Sequence, residues 1–341
     1  MTEGSGGGER ARGDKQLSIA AFHRNVDAFR QAAIRFGFLD PDSQEFWKPA
    51  RVVVEPPACE ADIAAIEAEI GESLPPSLRE FYGTVSAGID ISWILPFTEL
   101  ETNDGWGIQF DVLPPPPFQR KDEISGRLEP VINRGTTRFS LRRTASDIAD
   151  MQPWIENFRY AELLARDPDR AKLHPSYSQT VEMMASIRDM NADDPTWGAT
   201  LRAMENPQPN PDYARSRQQL IAFWQRGFPL GNDGAGNIVA IDRQDSAGRL
   251  LLLDHEGAPG LFIDHTLLDF MLVQSRLGFV GFSEILNGSF VERPRGEREQ
   301  NHRAEHREDV TGNQEPPTTI RIDDLSEDAR IWRDWLGLPS P

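Results

Sequence analysis

The stretch IVAIDRQDSAGRLLLLDHEGAPGLFI, Ile238 to Ile263, constrains the fold more than any other part of the chain. Ile238 to Asp242 and Leu250 to Asp254 are short β-type runs, and Gln244-Asp245-Ser246-Ala247-Gly248 between them has the chemistry of a hairpin loop. Gly257 to Gly260 turns the chain again before Leu261-Phe262-Ile263. Three short strands in succession predict a meander. Asp264 is placed to cap a following helix that carries Leu267, Leu268, Met271 and Leu272.

The glycines just before the meander, in GFPLGNDGAGNIVAID (Gly227 to Asp242), raise the question of a phosphate loop. Such a loop works because its backbone N–H groups sit at a helix N-terminus, so the order must be strand, loop, helix. Here the order is reversed. Tyr213 to Trp224 has helical spacing before the loop, and the strand comes after it. The spacing Gly231-x-x-Gly234-x-Gly236 also fails the dinucleotide fingerprint, and no Gly-Lys-Ser/Thr follows. Asn232-Asp233-Gly234 is a turn signal instead. The expectation is a structural turn that binds no nucleotide, with at least one of Gly231, Gly234 and Gly236 at positive φ.

The rest of the chain alternates helical and strand-like segments. Ile19, Phe22, Val26, Phe29 and Ile34 recur at helical spacing across Leu17 to Phe36, with Gly37 as the stop. Arg51 to Val54 reads as an edge strand ended by Pro56-Pro57. Ile63, Ile66 and Ile70 mark one helix closed by Gly71, and Leu78, Phe81, Tyr82 and Val85 mark a second that ends at Gly88. Trp93 to Leu100, Trp106 to Val112 and Thr136 to Leu141 read as strands. Ala145 to Leu164, Ser178 to Asn191 and Tyr213 to Trp224 read as helices, the last preceded by the loop-like Asn206 to Pro211. Pro114 to Pro117 reads as a surface loop. Residues 1–15 read as a disordered leader with no signal-peptide core. Residues 293–341 read as a charged, largely disordered tail, with a short amphipathic helix at Asp328 to Leu336.

Two of these segments together resemble the SUKH superfamily, which includes fungal cell-wall-synthesis regulators and bacterial immunity proteins. The first is Pro57 to Gly88, where Ile63, Ile66, Glu67, Gly71, Leu74, Pro75, Leu78, Phe81, Tyr82 and Gly88 occupy the positions of the family's opening. The second is Phe228 to Gly257, similar to the family's glycine turn (Gly231, Asp233, Gly234, Gly236), its strand with a terminal Asp and its strand ending Asp-His-Glu. The resemblance implies an α+β fold, an antiparallel or mixed sheet packed with helices, over residues 16–292. It covers a third to a half of the chain and leaves a long, mainly helical insertion at about 114–223. It also implies a binding module with no catalytic residues. If the two segments form one domain, Ile63, Ile66, Ile70, Phe81 and Val85 pack against the meander.

Charge narrows the partner. The chain has 54 acidic and 36 basic residues, for a formal net charge of -18. A surface of that sign repels nucleic acid and anionic lipid, and it either attracts a basic protein or only maintains solubility. The single Cys59 excludes an intrachain disulfide framework, no apolar run approaches a membrane span, and a cytoplasmic location is expected. His302 and His306 have a ligand-like spacing in the charged tail without an obvious third ligand, and His255 reads as a solvent-facing turn residue. No cofactor, metal site or paired nucleophile and base emerges, so no enzyme is expected. The implied function is an immunity protein that occludes a basic toxin domain, a nuclease by this reading. The alternative is a regulatory scaffold like the fungal members. Asp242, Asp245, Asp254 and Glu256 are the candidate partner face, while Asp233 fits a turn role better.

Overall fold

Four consecutive leucines, Leu250 to Leu253, are all buried, because the sheet they belong to is covered on both faces. This computed structural model describes residues 6–41, 48–102, 105–122, 126–190, 208–232, 236–255, 260–281, 290–291 and 318–341. The fold is α+β.

The elements run α1 (Gly6–Phe36), β1 (Arg51–Val54), α2 (Glu60–Ile70), α3 (Pro76–Thr84), β2 (Gly88–Ile94), β3 (Phe97–Thr102), β4 (Gly105–Phe110), β5 (Gln119–Lys121), β6 (Leu128–Pro130) and β7 (Arg134–Ser140). They continue with α4 (Thr144–Arg166), α5 (Pro168–Ala171), α6 (Ser176–Met190), α7 (Pro211–Arg226), β8 (Gly227–Asn232), β9 (Ile238–Asp242), β10 (Leu250–Leu253), β11 (Leu261–Ile263), α8 (Leu267–Arg276), β12 (Thr318–Ile320) and α9 (Glu327–Leu336). The main sheet has the order β12-β11-β10-β9-β8, antiparallel except where β12 lies parallel to β11. A three-stranded antiparallel sheet has the order β1-β2-β7, and two hairpins, β3-β4 and β5-β6, complete the strands. The expected edge strand Arg51–Val54 is β1.

One face of the meander belongs to the larger core. Ile241, Leu250 and Leu252 lie there in one apolar cluster with Ile63, Leu78, Phe81 and Val85, and Ile66 and Ile70 pack against it half-buried. The two sequence segments therefore form one domain. The other face belongs to a second cluster, in which Met151, Ile155 and Phe158 of α4 and Leu220, Phe223 and Trp224 of α7 cover Ile238, Ala240, Leu251 and Leu253. The segment expected as an insertion is thus a layer of the fold. Two-sided burial of this kind stabilises each strand twice over.

Both ends of the chain depart from expectation. Helix α1 begins at Gly6, well before Leu17, so residues 6–15 are helix and not a disordered leader. The far end of the tail is structured too. Strand β12 extends the main sheet, and α9 buries Trp332 in the larger core. The amphipathic pattern of Asp328 to Leu336 marked this helix correctly. Three smaller boundaries also shift. The capping residue of α8 is Thr266, whose hydroxyl accepts from Asp269 N, and not Asp264, whose N–H donates to Ile320 O. Gly88 opens β2 and does not end α3, which stops at Thr84. The strand expected from Trp93 to Leu100 is two, β2 and β3, broken at Leu95-Pro96.

Aromatic rings hold the larger core together. Trp93 stacks on Phe38 at 5.0 Å and donates its indole N–H toward Gly278 O at 3.0 Å. Buried Asn25 of α1 donates to Ser275 Oγ of α8 at 3.0 Å and so fixes the rotation of α1.

Candidate functional site

The residues that carry the family resemblance mostly hold the fold. Glu67 accepts the Leu74 N–H at 2.9 Å and pairs with Arg79 at 2.5 Å, which ties the Leu-Pro corner back to α2. Gly236 is left-handed at φ 107, the positive φ expected of the turn. A Cβ there would also meet the His255 ring at 3.0 Å. His255 is half-buried, unlike the solvent-facing residue expected. It is held by Asn237 Oδ1 at 3.0 Å and by the edge of Trp154 at 5.2 Å between centroids. Gly231 is part of β8 and has no positive φ. Asp233, Gly234, Glu256, His302 and His306 lie outside the described residues.

Three of the four candidate partner-face acids, Asp242, Asp245 and Asp254, are engaged within the fold. Asp242 is buried, accepts Arg226 Nε at 3.0 Å and caps the turn by accepting Gln244 N at 2.9 Å. A carboxylate paired inside the protein is not offered to a partner. Asp245 accepts Ala247 N at 2.8 Å and pairs with Arg249 at 3.2 Å. Asp254 is half-buried and engaged. Helices α4 and α7 cover one face of the meander near which these acids lie.

A concave acidic site lies elsewhere, where α1, α3, the β9–β10 loop and the start of α8 meet around a recess of about 370 Å³. Asp14, Glu80 and Asp269 line it with Lys15, above an apolar floor that includes Phe81, Val85 and Leu267. Lys15 pairs with Glu80, and Asp269 accepts the Thr266 hydroxyl at 2.7 Å. The buried Ser77 Oγ, also in the wall, has no hydrogen-bond partner among the described residues. Three carboxylates against one ammonium, over an apolar floor, suit a Lys or Arg side chain, whose stem is apolar and whose head is cationic. Sequence reasoning missed this site because four distant segments build it and no local motif marks any of them.

A second buried acid is Asp147, in the first turn of α4. Burial outweighs the Arg143 guanidinium 3.5 Å away and pushes its carboxyl up to about 6 from 3.8. Tyr82, hydrogen-bonded to Thr144 beside it, is raised as well, chiefly by burial. A folded-state pKa above the unfolded value means the fold favours the protonated acid. Stability therefore falls as pH rises from about 4 to about 6, by on the order of 3 kcal/mol, and this contribution is flat above that. Asp147→Asn should match the wild type near pH 4 and be more stable at neutral pH. Urea titrations at the two pH values check this; a variant equally destabilised at both would refute it.

Among the described residues no three His, Cys, Asp or Glu side chains are grouped as metal ligands, and no helix is long and apolar enough to cross a membrane. Cys59 is exposed at the start of α2, its thiol 3.1 Å from Asp62 Oδ2. Compared with known proteins, the chain matches no family model, no curated sequence and no solved structure.

Proposed function

We propose that this is a non-catalytic, cytoplasmic binding protein of the SUKH type, an immunity protein that masks a basic toxin domain by occlusion. The observation that supports this reading is the packing of Ile63, Phe81 and Val85 in one core with Ile241, Leu250 and Leu252. It joins the two segments that carry the resemblance, as the family order requires. The net charge of -18 supports the sign of the partner. A nuclease toxin must present a basic groove to its polyanionic substrate, and an acidic protein seated there excludes the substrate without chemistry.

On this reading the acidic recess takes the place of the meander acids as the contact. A basic side chain of the toxin enters beside Asp14 and Glu80, while the surrounding packing sets the dissociation rate. Co-expression with the product of a neighbouring toxin gene is the test. Growth should be rescued and the pair should co-purify at low salt. Asp14→Lys with Glu80→Lys should slow association about tenfold or more and flatten its salt dependence, with the circular dichroism spectrum unchanged. Absence of both rescue and complex refutes the immunity reading and leaves the regulatory scaffold.

A further inference from the structure

Arginines gather on the face of the β1-β2-β7 sheet turned away from the core. Residues directly opposite one another in a sheet project from the same face, and the pairing fixes which ones do. Arg51 lies opposite Ser92, which lies opposite Thr136; Val53 lies opposite Asp90, which lies opposite Arg138. The alternate residues Ile91, Trp93 and Phe139 point the other way, into the core. The outward row of β7 thus reads Arg134, Thr136, Arg138, Ser140, and Arg142 and Arg143 follow in the turn before α4.

This face is open. The side chains of Arg51 and Arg143 are 53% and 50% exposed, and Arg134 and Arg142 are exposed as well. A furrow of about 100 Å³ runs among Arg51, Glu55, Asp90, Arg138 and Arg143. Asp90 sits between two guanidinium groups, 2.6 Å from Arg51 Nε and 3.0 Å from Arg138 Nε. Arg51 meets Asp90 through Nε, with more than half of its side chain exposed. Arg142 has no ion pair among the described residues, and Arg143 reaches Asp147 only at 3.5 Å. With Arg134 and Arg142 beside them, Arg51, Arg138 and Arg143 outnumber Glu55, Asp90 and the Asp147 that pairs with Arg143, five to three, so the face is locally positive on a chain of net charge -18.

We infer that this face is an interaction surface for an extended acidic segment of a partner protein, with carboxylates at alternate positions. The charge on the face is complementary to such a segment. Its geometry fits too, because alternate residues of an extended chain recur about every 6.6 Å, the spacing of the outward residues along β7. The guanidinium fork pairs carboxylates in two-point fashion. A nucleic acid fits less well. Its charge continues beyond the patch onto the acidic remainder, and the screening length of about 8 Å confines the attraction to the arginines themselves. The exposed Val53 between Arg51 and Glu55 adds an apolar contact that a peptide can meet.

Fluorescence anisotropy with a labelled peptide of alternating Glu and Ser tests this, with a Gln-Ser peptide and oligothymidylate of equal length for comparison. The Glu-Ser peptide should bind at about 50 mM salt and be released at about 500 mM. The Gln-Ser peptide should not bind. Arg142→Glu with Arg143→Glu should weaken binding about tenfold or more. Arg142→Glu alone, which breaks no ion pair among the described residues, should weaken it measurably and keep the wild-type melting temperature. Absence of binding, equal or tighter binding of the oligothymidylate, or indifference to the arginine reversals overturns the inference. The probes contain no toxin, so the outcome is independent of the immunity reading.

Discussion

Replacing Trp332 with alanine should destabilise the protein by about 4 kcal/mol, a loss comparable to the whole stability of many domains. The indole is fully buried, packs edge-on against Phe118 at 5.1 Å and lies 6.5 Å from Trp93. Its N–H donates to Leu277 O at 2.9 Å, just past the end of α8. Truncation therefore leaves a large cavity and a buried carbonyl without its donor, and the two losses add. Trp335→Ala is the internal comparison. That ring is half-buried and stacks on Phe36 at 4.8 Å, so its loss should cost well under half as much. Urea unfolding of the two variants gives the ratio. If Trp332→Ala shifts stability by less than about 1 kcal/mol, α9 is an appendage and not part of the core.

How much of this was legible in the sequence depended on the range of the signal. Periodicity located the apolar helices and the short β runs, because a pattern that repeats every two or nearly four residues is written locally. It marked Ile331, Trp332 and Trp335 as one helix face, yet held nothing about what that face covers. Strand β12 is only three residues long, too short for any period, and owes its existence to pairing with Leu261 to Ile263. The burial of Asp242 was equally hidden, since its partner Arg226 ends the preceding helix and an acid at a strand end reads as solvated. Likewise α4 and α7 read correctly as helices, but their docking on the meander depends on contacts across the chain. Asp242 was placed on the candidate partner face by its charge, and its burial is a tertiary property.

Gly231 shows the same limit, and the second large effect is expected there. The turn chemistry around it suggested a glycine needed for positive φ, and Gly236 has that conformation. Gly231 is extended within β8, at the point where the pairing with β9 shifts register between Pro229 and Gly231. A Cβ at Gly231 would lie 2.1 Å from the carbonyl oxygen of Arg138, so β8 and β7 approach each other as closely as bare backbone allows. Neither partner can yield by rotating a side chain, because the clash is with main chain in a strand whose Phe139 is packed in the core. Gly231→Ala should therefore destabilise by about 3 kcal/mol, or pull the two strands apart and expose the core. Gly37→Ala separates the two reasons for a glycine. Gly37 has φ 68 but open space where a Cβ would go, so its loss should cost only about 1 kcal/mol of backbone strain. Urea midpoints for the pair decide the matter. If the two substitutions cost the same, or Gly37→Ala costs more, backbone conformation governs both sites and the close approach of β7 to β8 carries no energetic weight.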